Sequence, residues 1–250
     1  LGAQSAQDLV NSVRAAKELT SEAGVGTSAD WALWSHSQGG QAALWAAAES
    51  GELAPELTLQ GVAAAAPAAE LAEIMDAQWD TKVAWVIGPE AAQTFVVAYP
   101  DLDVAGALSD TARRAMSDLE SKCIFGQGLD AVSLTALGQT FFSENPTDNA
   151  AWSKIVAEQT PPPPADLPFL LVQGTADEVV LAPTNALLQE TWCAAGVNMS
   201  ALWLGDVDHM KAAVIGGPSA VEWIAARFDG RPAEPNCSFP PPVPPAAAVG

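Results

Sequence analysis

The sequence predicts an α/β protein with a mostly parallel sheet. Short apolar runs alternate with helical stretches near both ends of the chain, while the middle is helical and poor in strands. A second observation is local. Ser35-His-Ser-Gln-Gly-Gly40 follows an apolar run and leads into an alanine-rich stretch, which reads as a strand turning sharply into a helix.

The elements follow in order. Ala6, Leu9, Val13, Ala16 and Leu19 share one face of a helix over Gln4–Glu22, closed by the Gly/Ser/Thr break at 24–28. Trp31-Ala-Leu-Trp34 sits in a short strand, Asp30–Ser35, and a helix runs from Gln38 to Ser50. Leu57–Ala66 is the next strand. Beyond Pro67 the pattern changes, with helices expected over Val83–Ala98, Asp110–Ser121, Asp130–Leu137 and Thr147–Glu158. The stiff run Pro161–Pro164 ends this part. Alternation then resumes with a strand at Pro168–Gln173, a helix at Pro183–Gly196 closed by its glycine, and a strand at Asn198–Leu204. The last helix is expected over Ser219–Phe228, where Ser219 and Glu222 form a capping box. The organisation is therefore a first core part (1–70), a helical insertion (71–160), a second core part (161–230) and a Pro-rich tail (231–250).

The composition excludes several function classes. With 10 Lys and Arg against 30 Asp and Glu, the formal charge is 10 − 30 = −20. Nucleic acid is excluded as a partner, because phosphate contacts need clustered cations. Anionic membrane surfaces are disfavoured for the same reason. At 49 % hydrophobic and 16 % charged, the chain has enough apolar surface to fold. No apolar stretch reaches the roughly 20 residues of a membrane span, so no stable membrane insertion is expected. No signal-peptide pattern is visible, and the chain begins with Leu1, which suggests that it does not start where its gene starts.

The three cysteines are Cys123, Cys193 and Cys237. They form no CxxC or Cys/His cluster, so no metal site is expected. Either all are free thiols, or a Cys193–Cys237 bridge ties down the Pro-rich tail and marks an oxidising compartment. The bridge is the preferred reading, and it leaves Cys123 without a partner.

Ser37 carries the chemical signal. A serine at a strand-to-helix junction with small residues at −2 and +2 matches a nucleophile elbow, where bulky neighbours would clash. Ser35 and Gly39 meet that condition, although Ser35 stands where glycine is usual. Ser35 itself fails the test, since its −2 neighbour is Leu33. A serine hydroxyl needs a general base. Of the two histidines, His36 adjoins Ser37 and should point away from it, which leaves His209 on the loop after the last strand. Asp177, on the loop after Phe169–Gln173, is the carboxylate expected to orient the imidazole. Glu178, Asp206 and Asp208 are its rivals, but Ser…Asp…His in chain order favours Asp177. Gln38 would offer its backbone N–H to the oxyanion, and a base histidine must be neutral to act.

Trp34-Ser-His-Ser-Gln-Gly-Gly-Gln-Ala-Ala-Leu44, Gly61-Val-Ala-Ala-Ala-Ala-Pro67, Val172-Gln-Gly-Thr-Ala-Asp177 and Asp208-His209 resemble the secretory lipase family, the lipase-A-like branch of the α/β-hydrolases. The likeness runs from about residue 4 to 237 and takes in Cys193 and Cys237. It implies an α/β-hydrolase fold with a helical cap over 71–160, and a secreted carboxylic ester hydrolase without cofactor whose substrate is a small-molecule or lipid ester. It also implies that Trp85, Phe95, Phe125, Phe141 and Phe142 could line an acyl pocket, with packing inside the cap as the alternative. The family has about four strands before the elbow strand, yet only 30 residues precede Trp31 here. N-terminal strands are therefore expected to be missing, with one oxyanion donor, and Trp31–Trp34 to form an exposed apolar edge. Two rival readings remain: a serine peptidase of the prolyl-oligopeptidase type, disfavoured by Gln38 where that type has Tyr, and a non-catalytic fragment without a working oxyanion hole.

Overall fold

The structure, a computed structural model, describes residues 1–249. Its chain divides into a sheet unit, Leu1–Glu70 with Gln159–Ala248, and a helical unit, Leu71–Glu158 with Val249.

The sheet unit opens with α1 (Gly2–Glu22), β1 (Asp30–His36), α2 (Gln38–Leu53) and β2 (Thr58–Ala65). Ala6 and Val10 of α1 pack with Trp31, Ala46, Ala54 and Leu57. Strand β1 pairs only with β2 and so stands at an edge of the sheet, as expected, but the edge is only partly exposed: α1 buries Trp31, while Leu33 and Trp34 are half-buried.

The helical unit contains α3 (Leu71–Gln78), α4 (Ala84–Ala98), α5 (Val104–Ala107), α6 (Asp110–Glu120), α7 (Ile124–Ala136) and α8 (Ala150–Ala157). Ser109 caps α6 by accepting from Ala112 N, and Asn149 caps α8 by accepting from Ala151 N and Trp152 N. Helix α7 starts six residues before its expected start at Asp130. Gly126 and Gly128 weaken the helical pattern in sequence, yet Gly126 N and Gln127 N both donate to Cys123 O and begin the helix there. The interior is aromatic. Trp85 meets Phe141 edge-on at 5.4 Å, Phe141 meets Phe142 at 5.0 Å, and Trp152 meets Phe142 and Phe95 at 5.7 Å each.

The chain returns to the sheet unit with β3 (Phe169–Gly174), α9 (Ala182–Ala194), β4 (Met199–Leu204) and α10 (His209–Phe228). The four strands are parallel in the order β1-β2-β3-β4. Parallel pairing follows from the connections, because each crossover carries helix instead of a tight turn. Ala43 and Leu44 of α2 and Leu188 and Trp192 of α9 pack on Val62, Ala64, Phe169, Leu171 and Met199, while α10 packs against β1, β2 and β3. Burial on both faces accounts for the near-continuous apolar runs of β2 and β3.

Helix α10 corrects another expectation. It starts at His209, where the Asp208 carboxylate accepts from Lys211 N at 2.9 Å, and continues through Pro218. The capping-box pattern at Ser219 therefore lies inside a helix. Proline removes one N–H, and the carbonyl left over is that of Val214, an exposed residue that water can reach.

Cys193 at the end of α9 is bonded to Cys237, with Cα atoms 5.6 Å apart. The tail is further tied to β4, since Asn236 Oδ1 accepts from Ala201 N at 2.7 Å and Asn236 Nδ2 donates to Ala201 O at 2.9 Å. The bridge spans 44 positions, which corresponds to about 4 kcal/mol of lost unfolded-state entropy in the chain-entropy account. Cys123 is exposed and free.

Candidate active site

Ser37 stands between β1 and α2 with φ 56° and ψ −125°. A non-glycine residue held there stores roughly 1–3 kcal/mol of strain, so the surroundings must impose it. They do so from several sides. Ser37 N donates to Ala65 O at 3.0 Å, and Ser37 O accepts from Gln41 N at 3.1 Å and Ala68 N at 3.2 Å. The steric demand falls on a different glycine than expected. A Cβ on Gly39 would only touch Ser35 Cβ at 3.8 Å, whereas one on Gly40 would meet Pro67 Cα at 2.8 Å. Gly40 is what lets α2 approach the loop after β2. The rival Ser35 has a buried Oγ with no hydrogen-bond partner among the described residues.

His209 is the first residue of α10, and its ring reaches back to the elbow. Ser37 Oγ lies 3.0 Å from His209 Nε2, and Asp177 Oδ2 lies 2.9 Å from His209 Nδ1. With Nδ1–H donating to the carboxylate, Nε2 is free to accept the serine proton. Both His209 and Asp177 are buried. Asp177 is held in place by its own turn, where Oδ1 accepts from Val179 N and Val180 N at 2.9 Å each. A buried carboxylate whose oxygens are satisfied in this way is fixed in orientation. The structure thus brings together Ser37, Asp177 and His209. Of the rival carboxylates, Asp208 caps α10 and pairs with Lys211, whose ammonium holds it below the usual carboxylate range. Asp206 has φ 55°, and its N–H donates to Thr175 Oγ1.

Gln38 is the first residue of α2. Its N–H is one of the donors that a helix N-terminus leaves without an intrahelical acceptor, at the positive end of the helix dipole.

Sequence reasoning missed the supports of this arrangement. Gln173 is fully buried and donates from Nε2 to Asp177 Oδ2 at 3.3 Å, while its Oε1 accepts from Asn185 Nδ2 at 2.6 Å. A buried Gln at the end of an apolar strand was the available signal. Gly174 lets the loop carrying His209 cross over β3, since a Cβ there would lie 2.1 Å from Val207 O. His36 points away from Ser37, yet it is placed against His209. Its Nε2–H donates to His209 O at 2.9 Å, and the two rings lie 4.4 Å apart. Burial, reinforced by the neighbouring His209, pushes the His36 imidazole down, which favours the neutral ring.

The expected pocket-lining aromatics fare differently. Trp85, Phe95, Phe141 and Phe142 are buried in the core of the helical unit, packed on one another, and Phe125 is exposed on α7. Packing is what this structure shows for the first four. Among the described residues no group of three or more His, Cys, Asp or Glu side chains is placed to hold a metal, and no helix is long and apolar enough to cross a membrane.

Residues 1–236 match the family described as secretory lipase. The chain belongs to the secretory lipase family. Similar relatives include Lipase 2 of Candida albicans, 30 % identical over 258 residues, and Lipase 10 of the same organism, 29 % identical over 259 residues. Each alignment covers 95 % of this chain and 54 % of the relative, so this secretory lipase chain spans about half their length. Among solved structures, lipase A of Candida antarctica in its closed state superposes with a TM-score of 0.75 at 19 % identity, covering 100 % of this chain and 59 % of that one. The esterase LipA of Xanthomonas oryzae gives 0.66 at 16 % identity, covering 88 % and 64 %. These likenesses show the fold, an α/β-hydrolase fold of the lipase-A type.

Proposed function

We propose that this chain carries the catalytic machinery of a serine ester hydrolase, an esterase or lipase that cleaves small-molecule or lipid esters. The observation that carries the reading is the run of contacts from Ser37 Oγ through His209 to Asp177, at 3.0 and 2.9 Å. Ser37 Oγ attacks the ester carbonyl while His209 Nε2 takes its proton. Asp177 holds the imidazole by Nδ1–H and offsets the charge it acquires. Negative charge on the former carbonyl oxygen meets the Gln38 N–H at the start of α2. His209 then gives its proton to the departing alcohol, and water attacks the acyl-enzyme with His209 again as base. Ser37 is regenerated and the acid is released.

The names of the relatives, lipases and an esterase, support an ester substrate. The family description and the Cys193–Cys237 bond support an extracellular setting. Hydrolysis of p-nitrophenyl esters beside a peptide substrate tests the reading. Ester cleavage, Ser37-dependent labelling by a fluorophosphonate and a fall of about 10⁶-fold in kcat for Ser37→Ala are expected. Ester cleavage that survives Ser37→Ala would overturn it, as would peptide cleavage alone or a folded chain that takes no label.

A further inference from the structure

Two fully buried amides stand behind the Asp177 carboxylate. Gln173 is near the end of β3 and Asn185 lies on α9, and neither has any exposed surface. Three acceptors surround one end of the Gln173 amide: Gly174 O at 3.0 Å, Asp177 Oδ2 at 3.3 Å and Val180 O at 3.3 Å. A carbonyl or a carboxylate can only accept, so that end must be the amide nitrogen. Its Oε1 therefore faces α9, where Asn185 Nδ2 donates to it at 2.6 Å. This aims Asn185 Oδ1 the other way, and that oxygen is buried without a hydrogen-bond partner among the described residues. An acceptor buried alone is costly, and an apolar side chain of the same shape would avoid the cost. Stability therefore does not account for an asparagine at this position.

We propose that Asn185 and Gln173 are positioning residues for the serine site: Asn185 selects the orientation of the Gln173 amide, and Gln173 holds the Asp177 oxygen that meets His209. The inference rests on the ester-hydrolase reading above. The two oxygens of Asp177 are held differently. Oδ1 accepts from Val179 N and Val180 N at 2.9 Å each, both backbone groups of its own turn. Oδ2 accepts from His209 Nδ1 at 2.9 Å, and its other partner is Gln173. Without Gln173 the carboxylate can pivot about Oδ1 and carry the imidazole with it. A reversed Gln173 amide would be worse, since Oε1 would then face Oδ2, acceptor against acceptor. Asn185 forbids that reversal by donating to Oε1. Both amides are fully buried, so neither touches substrate, and their effect is confined to the alignment of the base with Ser37.

Steady-state kinetics on a p-nitrophenyl ester, with melting followed by circular dichroism, test the proposal. Gln173→Met keeps the length of the side chain and removes its donor, and Asn185→Leu does the same for Asn185. Gln173→Met should lower kcat about tenfold and leave KM within about twofold. Asn185→Leu should lower kcat about threefold, again at constant KM. The variant carrying both changes replaces a polar pair by an apolar pair of similar shape, so it should melt close to the parent. Its kcat should nonetheless match that of Gln173→Met alone, because Asn185 acts through Gln173. The proposal is overturned if the double variant recovers the parent kcat along with its stability, or if it does not fold, since the pair would then serve the fold. It is also overturned if KM changes in place of kcat, or if the two single losses multiply in the double variant. Ser37→Ala is measured alongside. Ester cleavage that survives Ser37→Ala, or a parent that cleaves no ester, overturns the ester-hydrolase reading and this role with it. Ser37-dependent cleavage at the parent rate in the double variant overturns only the role of the two amides.

Discussion

Gln173, Asp177, Asn185 and His209 lie buried in the sheet unit and are joined by directional hydrogen bonds. In the helical unit the comparable interior is made of Trp85, Phe95, Phe141, Phe142 and Trp152, which meet ring to edge. The two interiors respond to loss in different ways. A polar network fixes the angle and tautomer of each group, so a deletion changes chemistry with little change in volume. A ring cluster fills space, so a deletion leaves a void and weakens the unit without removing a reacting group.

Asp177→Asn gives the sharpest test of that contrast. The variant keeps its shape but reverses the preferred tautomer of His209, and kcat for ester hydrolysis should fall by about 10⁴-fold with little change in melting temperature. A loss of stability in place of activity would show that the carboxylate is structural. Phe141→Ala probes the other interior. Calorimetry should show the folded state weakened by about 3–5 kcal/mol. An unchanged thermal transition with an altered kcat/KM would break the comparison and assign Phe141 to the substrate.

His36 tests the contrast at a smaller scale. His36→Phe keeps a ring beside His209 but removes the donor to His209 O. Loss of about 1 kcal/mol of positioning should lower kcat by roughly fivefold and leave KM alone. A matching rise in KM would point to substrate contact instead. The smallest effect concerns Glu90 on α4, whose carboxyl is pushed up by burial. Its folded-state pKa exceeds the unfolded one, so its contribution is favourable in acid and is lost as pH rises through the folded value. Glu90→Gln should therefore melt slightly higher than the parent near neutral pH, and the gap should close on acidification below the usual glutamate range. A gap that widens in acid would reverse the assignment.

Much of the sheet unit could be read from the sequence because its signals are local. Each of Ser37, Asp177 and His209 follows an apolar strand within a few residues, and the helix from Ala182 ends where Gly196 takes φ 81°. What escaped notice depends on contacts through space. Gln173 and Asn185 are 12 positions apart and meet only because α9 folds back on β3. Gly40 is required by Pro67, and Gly174 by Val207, neither of which is a sequence neighbour. Local signals misled at Gly126 and Pro218, where tertiary packing and a new cap outweighed residue preference. The aromatic residues of the helical unit carry no positional signal, since a ring that fills a core and a ring that lines a pocket look alike in sequence.

The bond between Cys193 and Cys237 makes a covalent ring of the intervening chain, and His209 is inside that ring while Ser37 and Asp177 are outside it. A protease that cuts once between 194 and 236 cannot release the base-bearing piece from the remainder. The nicked chain would run as one species on a non-reducing gel and as two after reduction. A single cut in that stretch would thus leave Ser37, Asp177 and His209 on one covalently joined molecule.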